Sequence, residues 1–393
     1  MTKRPATALA DTIAQLDQLI AFPTVSTDSN LDLIAYAANV LTDLGAKVEV
    51  HSDTSGTKAN LYAVLGPQVL GGVLLSGHSD VVPVIDQDWT SDPFKMDQRD
   101  DRLYGRGACD MKGFIAASLA MAQHYAAAPL QRPVHFAFTH DEETGCLGAQ
   151  DLCDLLRGRD VLPSTAIIGE PTEMRIIEGH KGCCEYTTSF TGLPGHGSAP
   201  HLGVNAAEYA VRYITRLMEL REEMKPRAPE GSRFDPPYTT MNIGGIRGGV
   251  AHNVIVNRAE VDWEFRPVNR SDFDFFKSQI ADYAQNVLLP QMRAVYPQSD
   301  ISTRTIGEVA GLEPMDDNAA RALVSELTGS NGADVVAFGT EAGLFQSLGM
   351  DAVVCGPGSI EQAHKADEFV SLAQMEQCLD MLAGLGQKLC EPA

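Results

Sequence analysis

Apolar positions recur at helical spacing through residues 7–21, at Leu9, Ile13, Leu16 and Ile20, and stop before Pro23, which predicts an amphipathic helix. A second helix is expected over 31–44, ending at Gly45, and the alternating Val48-Glu49-Val50 behind it reads as a strand. The apolar runs at 60–65 and 72–75, joined through Gly66-Pro67, predict two more strands. Helical and extended patterns then alternate: a helix over 112–127, a buried strand over 134–139, a helix over 147–156 and a strand over 165–168. Such alternation builds an α/β layout around a mostly parallel sheet. Ligand-binding residues of these sheets gather just beyond the carboxyl ends of the strands.

After Lys181 the pattern changes. Residues 185–191 alternate, a long helix is expected over 204–224, a Pro-rich loop over 226–237, strands over 238–243 and 254–265, and a helix over 271–288. Val254, Val256, Val261, Trp263 and Phe265 alternate with polar neighbours except for a slip near Arg258, so one face of that strand is solvated. This predicts a small α+β domain on an antiparallel sheet. Past Pro297 the earlier pattern resumes at 301–306, 318–327, 344–348, 352–355 and 372–389. The expected organisation is a larger domain in two parts, residues 1–180 and 295–393, interrupted by an insertion over 181–294.

Composition agrees with two domains, because 393 residues exceed the size at which a single core keeps growing. Hydrophobic residues make up 44% and charged residues 21%, and no apolar run is long enough to span a bilayer. Met1-Thr2-Lys3-Arg4 leads into mixed polar sequence rather than the apolar core of a signal peptide, so a cytoplasmic protein is expected. The 8 cysteines are scattered, with no pair at metal-finger spacing, which suits reduced thiols. A net charge of −22, from 30 basic and 52 acidic residues, argues against nucleic acid or an anionic membrane as partner.

The candidate chemistry begins where Val73-Leu74-Leu75 runs into Ser76-Gly77-His78-Ser79-Asp80. Period two puts His78 and Asp80 on one side of the departing chain, so one imidazole nitrogen can meet a metal while the other faces a carboxylate. An ordinary polar strand end fits these five residues equally well, and other ligands must decide. Asp110 follows the glycine-rich Gly105-Arg106-Gly107 and opens a helix, where a helix cap is the competing reading. Beyond the strand at 134–139 comes His140-Asp141-Glu142-Glu143, carboxylates that would repel one another without a cation. Neighbouring residues of extended chain point opposite ways, so one of the two glutamates can bind metal while the other faces water. Glu170 follows the strand at 165–168, and His364 sits in a loop near the C-terminus. Together His78, Asp110, Glu143, Glu170 and His364 suit two borderline divalent ions sharing a bridging aspartate, zinc by default, with cobalt or manganese as alternatives. Glu142 is then the carboxylate left to move a proton.

With these motifs in this order, the chain resembles the co-catalytic metallohydrolases, which include acetylornithine deacetylases, succinyl-diaminopimelate desuccinylases, aminoacylases and carboxypeptidase G. The likeness runs through Gly77-His78-Ser79-Asp80, Gly105-Arg106-Gly107-Ala108 with Asp110-Met111-Lys112-Gly113, Asp141-Glu142-Glu143, Gly169-Glu170-Pro171-Thr172 and the His364 loop. It implies a catalytic domain carrying an inserted dimerisation domain. It implies that His78 and Glu170 hold one metal, Glu143 and His364 the other, with Asp110 between them. Asp80 would orient His78, Glu142 would be the general base, and the Asp110–Met111 peptide would be cis. Through Gly192-Leu193-Pro194-Gly195-His196-Gly197-Ser198-Ala199-Pro200-His201, Asn253 and Arg266, the insertion matches a domain that forms a homodimer and lends a histidine to stabilise an oxyanion. His196 is the residue expected to do so, with His201 competing; Arg266 suits a substrate carboxylate, and Asn253 can accompany it. A strand salt bridge and a turn amide are the alternatives for these two.

Phe338-Gly339-Thr340-Glu341-Ala342-Gly343-Leu344-Phe345-Gln346 and Glu361-Gln362-Ala363-His364-Lys365-Ala366-Asp367-Glu368 resemble the acetylornithine deacetylase branch, and Glu341 departs from the Thr-Ser-Asp-Gly pattern of the desuccinylases. The resemblance implies hydrolysis of a linear amide, the Nα-acetyl group of N-acetylornithine, in arginine biosynthesis. Gly339 and Thr340 are expected near the substrate. Glu341 would either attract the ornithine ammonium or act as an acid at a helix N-terminus. A desuccinylase, a broader N-acyl-amino-acid hydrolase and a non-catalytic metal-binding homologue are the other readings.

Overall fold

A computed structural model describes residues 4–392. They form two compact units. The first comprises residues up to Gly179, Pro314–Val335 and the chain from Thr340 onward; the second comprises His180–Glu313 with Val336–Gly339.

In the first unit α1 (Ala8–Ile20) and α2 (Leu31–Asp43) lead into β1 (Lys47–Ser52), β2 (Ala59–Leu65) and β3 (Val73–His78). The short strands β4 (Asp97–Arg99) and β5 (Arg102–Tyr104) precede α3 (Lys112–Ala126), β6 (Val134–Thr139), α4 (Leu147–Leu156), β7 (Thr165–Pro171) and β8 (Ile176–His180). The second unit carries β9 (Cys183–Thr191), α5 (Ala206–Met224), β10 (Thr240–Gly248), β11 (Arg258–Arg266), α6 (Arg270–Asp282), α7 (Leu289–Val295) and β12 (Asp300–Val309). The chain closes with α8 (Ala319–Thr328), β13 (Ala333–Val336), α9 (Ala342–Gln346), β14 (Asp351–Gly356), β15 (Phe369–Ser371) and α10 (Leu372–Leu389).

The main sheet has the order β1-β2-β6-β3-β7-β14-β8-β13. Its central strands β6, β3, β7 and β14 run parallel, while β1–β2, β2–β6 and β14–β8 are antiparallel. The parallel arrangement expected from the alternating pattern is therefore concentrated at the centre, where strands buried on both faces read as continuous apolar runs. Register places His78 opposite Thr139 and Ser76 opposite Ile168, so β3, β6 and β7 end side by side. α3 packs against β3, α1 and α10 and is buried almost all round; its alanines 116, 117, 120 and 122 let the sheet and helices approach closely. At Gly169 the approach is closer still, because a Cβ there would lie 1.9 Å from the Phe114 ring. The Asp110–Met111 peptide at the entry to α3 is cis.

The second unit is an antiparallel sheet, β10-β11-β9-β12, with α5 packed on β9, β10 and β11 and α6 beside α5. Ala259, Val261, Trp263 and Phe265 of β11 are buried at period two, and Glu260, Asp262 and Glu264 take the other face. Tyr186 stacks on Trp263 at 4.6 Å between ring centroids, and Phe265 on Phe276 at 4.5 Å. Two sequence expectations need correction here. Residues 300–309 do not resume the main sheet; β12 pairs with β9 from Asp300↔Thr191 to Val309↔Cys183, so the chain returns to the first unit after Glu313 rather than after 294. The strand expected from 254 begins at Arg258, the point of the slip in alternation, and Val254 instead makes an isolated bridge to His196.

Candidate metal centre and active site

The five expected ligands converge in the first unit at the carboxyl ends of the central strands. His78 closes β3, Glu170 lies in β7, Glu143 follows β6 in a turn, Asp110 stands two residues before α3, and His364 occupies the loop before β15. His78 Nε2 lies 3.0 Å from Asp110 Oδ1 and 3.7 Å from Glu170 Oε1. His364 Nε2 lies 3.3 Å from Asp110 Oδ2 and 3.0 Å from Glu143 Oε1. Each oxygen of Asp110 thus faces one imidazole. Ligands about 2.0–2.2 Å from a tetrahedral zinc stand roughly 3.3 Å from one another, and these separations bracket that value.

Electrostatics point the same way. Burial works against an imidazolium at His78, but the carboxylates of Glu170 and Asp110 outweigh it and hold its pKa well above the ordinary histidine value. Bonds to Asp110 and Glu143 raise His364 to about 10. Burial pushes Glu142 and Glu170 well above the usual carboxylate range despite the opposing pull of His78, and it raises Glu143 as well. Asp110, bonded by both histidines, goes the other way. Upward shifts of this kind reflect burial and mutual repulsion among crowded carboxylates, which a cation would relieve. Glu170 Oε1, buried and without a hydrogen-bond partner, is a lone pair aimed into this space. Ligand atoms of His78, Asp110 and Glu143 lie within 4.8 Å of one another, as do those of His78, Glu142 and Glu170. The donor set fits divalent metal.

The supports of the site differ from expectation at Asp80. His78 Nδ1 faces the Asp80 main-chain carbonyl at 2.8 Å, whereas the nearer carboxylate oxygen is 3.6 Å away. A donor bond to that carbonyl keeps a proton on Nδ1, so Nε2, which faces Asp110 and Glu170, is the nitrogen that would ligate once a cation displaces its proton. The Asp80 carboxylate accepts from the Glu142 amide at 3.1 Å and from Ser26 Oγ at 2.7 Å. It holds the loop that presents Glu142. Lys58, which sequence reasoning passed over, pairs with Asp141 in that same loop and donates to the Ser26 carbonyl. No motif marks Lys58 in sequence; only the antiparallel pairing of β1 with β2 brings its turn here.

Glu341 is fully buried, and its carboxylate accepts from Ser76 Oγ at 3.1 Å and from Thr139 Oγ1. It ties β3 to β6 beneath His78 and makes no side-chain cap of α9. That role belongs to Thr340, buried beside it, whose hydroxyl accepts from the Ala342 amide at 3.1 Å. His196, Asn253, Arg266 and Gly339 belong to the second unit. There His196 is exposed with Nδ1 2.7 Å from Ser198 Oγ, and the Asn253 carbonyl accepts from Gly197 N at 2.7 Å, which sets His196 and Asn253 side by side. Arg266 is half-buried and donates to Glu264 at 3.1 Å, and a Cβ added at Gly339 would lie 3.7 Å from the Lys181 carbonyl oxygen, so there is room for a side chain there.

Residues 74–388 match the family described as Peptidase family M20/M25/M40. The chain is 37% identical over 385 residues to the acetylornithine deacetylase of Proteus mirabilis, covering 95% of each protein, and 37% identical over 399 residues to that of Erwinia tasmaniensis, covering 98% of this chain and 99% of the other. The chain belongs to peptidase family M20/M25/M40. Like other members of M20/M25/M40 it is a metal-dependent hydrolase acting on amides. Solved structures agree in fold. A tripeptidase from Staphylococcus aureus superposes with a TM-score of 0.71 at 19% identity over 97% of this chain and 98% of its own. A dinuclear metal binding peptidase of the M20 family from Bacillus subtilis gives 0.64 at 17% identity over 98% and 99%. Among the described residues of this M20/M25/M40 chain no helix is long and apolar enough to cross a membrane.

Proposed function

We propose that this chain removes the Nα-acetyl group of N-acetylornithine, with water, to give ornithine and acetate. The observation that carries the substrate is identity of 34–37% to acetylornithine deacetylases over about 95% of the chain. The geometry that supports the chemistry is a two-imidazole, three-carboxylate cluster, with His78, Asp110 and Glu170 buried and His364 at its exposed side, and one further glutamate beside it.

His78 and Glu170 would hold one divalent ion and Glu143 and His364 a second, with Asp110 shared; zinc suits this mixed nitrogen and oxygen set, and cobalt or manganese can replace it. Bound ions supply Lewis acidity toward the acyl oxygen and make water more acidic. The chain's own residues do the rest. Glu142 Oε accepts a proton from the attacking water and returns it to the departing amine nitrogen. Asp80 and Ser26 keep the Glu142 backbone in place. His196 is assigned to the developing oxyanion, contributed across a homodimer by the inserted domain, while Arg266 and Asn253 receive the substrate carboxylate. A cytoplasmic location accompanies this reading.

The test is apo-protein reloaded with zinc or cobalt and assayed on acetylornithine, succinyl-diaminopimelate and acetylmethionine. Acetylornithine should have the largest kcat/KM; preference for either other substrate refutes the assignment. Glu142→Ala should retain two ions and lose about 10²- to 10⁴-fold in kcat, the range typical of a general base. Full activity in that variant would overturn the mechanism.

A further inference from the structure

Three of the five ligands owe their positions to the sheet: His78 and Glu170 stand on strands, and Glu143 follows β6 by four residues. Asp110 and His364 do not. Both lie on turns, and both are gripped by one buried ion pair. Arg106 and Glu368 are each 1% exposed, with Arg106 Nη1 2.7 Å from Glu368 Oε2. The same carboxylate accepts three amides of the Asp110 loop: Gly107 on Oε2 at 3.1 Å, and Cys109 and Asp110 on Oε1 at 2.9 and 3.0 Å. Arg106 turns its other amino group to Gln87 Oε1 at 2.5 Å, and Gln87 Nε2 donates to the His364 carbonyl at 3.0 Å. Arg106 Nη1 also reaches the Lys365 carbonyl at 3.3 Å.

A buried ion pair adds little stability over apolar residues of the same volume, so this one is better explained by the geometry it fixes. Four donors converge on Glu368, a demand no neutral side chain meets, since a glutamine would set an amino group against amide donors. We propose that Arg106 and Glu368 are positioning residues that govern binding of the ion assigned to Glu143 and His364, leaving the His78 and Glu170 side largely to the strands. Asp110 is shared, so both sites feel the pair; the His364 side feels it twice, through the Asp110 amide and through Gln87.

The inference rests on the two-ion reading, and direct metal titration separates the two. Apo-protein is titrated with cobalt(II), following d–d absorption and heat for each equivalent. Wild type should take up two ions. Glu368→Gln should weaken the first ion less than the second, and the second about 10- to 100-fold, as is usual when a partner of a ligand is lost. Gln87→Ala cuts only the arm to His364, and should weaken the second ion alone by a smaller factor. Wild-type affinity for both ions in Glu368→Gln, an equal loss at both, or an unchanged second affinity in Gln87→Ala overturns the proposal. Fewer than two ions in wild type overturns the two-ion reading itself.

Discussion

Replacing Asp80 by alanine separates two jobs that a carboxylate beside His78 could have. The His78 imidazole is held by the Asp80 main-chain carbonyl, 2.8 Å from Nδ1, which the substitution leaves in place. What is lost is the acceptor of the Glu142 amide, at 3.1 Å, and of Ser26 Oγ, at 2.7 Å. A hydrogen bond to a charged acceptor is worth about 1.5–3 kcal/mol, and with about 1.4 kcal/mol to each tenfold in rate the expected fall in kcat is roughly 10- to 150-fold. Metal affinity should change much less than kcat, because His78 keeps its main-chain support and the lost bond is to the Glu142 amide, not to the amide or side chain of a ligand. Asp80→Asn keeps one acceptor for the Glu142 amide and should fall between the two. The assay is kcat and KM on acetylornithine alongside metal titration of the apo-protein, both on one preparation. A drop in metal affinity matching the drop in kcat would refute the reasoning, since a carboxylate that orients the imidazole directly would cost about 10- to 100-fold in affinity.

Glu341→Gln should reduce kcat/KM on acetylornithine and acetylmethionine by the same factor, because this buried carboxylate braces Ser76 and Thr139; a loss confined to acetylornithine would restore it as an ammonium site. Burial holds His135 and His180 down to about 4, below the ordinary value near 6.5, so both are neutral in the native state. Between pH 6.5 and 4 the unfolded chain binds more protons, and stability falls with pH by at most about 1.4 kcal/mol per unit for each histidine. Urea denaturation from pH 7 to 4.5 should show this slope and a shallower one in His135→Gln; identical slopes would exclude His135 as a contributor. Gly169→Ala forces a methyl to within 1.9 Å of the Phe114 ring, so it should lower stability by about 1–3 kcal/mol and weaken metal binding through the adjacent Glu170, and a wild-type denaturation midpoint would contradict that packing.

The strands that carry ligands were the most legible part of the chain. The runs ending in His78, Thr139 and Ile168 are apolar on both faces, so their number and approximate ends follow from hydrophobicity alone, and the residues beyond them were natural candidates. Sheet order was not legible. Nothing local tells β12 that its partner is β9, because a strand with one solvated face alternates in the same way whichever sheet receives it. The short strands β4, β5 and β15 escaped notice because three residues are too few to show a period. Within the site, the candidate ligands that the fold brings together were readable from residue type and place, whereas their supports were not. Asp80 acts on His78 through a backbone atom, which every residue possesses. Glu341 looked like a helix-end acid, and its environment is set by Ser76 and Thr139, which lie far away in sequence.

The position of β14 has a consequence for how the chain comes into being. This strand, Asp351–Gly356, sits between β7 and β8, which are made much earlier during synthesis from the N-terminus. Until it emerges, β7 has an open edge, and a nascent chain long enough to contain the whole inserted unit still lacks the strand that completes the sheet. Exposed apolar strand edges are templates for misassociation. Final closure of the sheet therefore waits for β14, which is made after the whole inserted unit, and His364 and Glu368 are made later still.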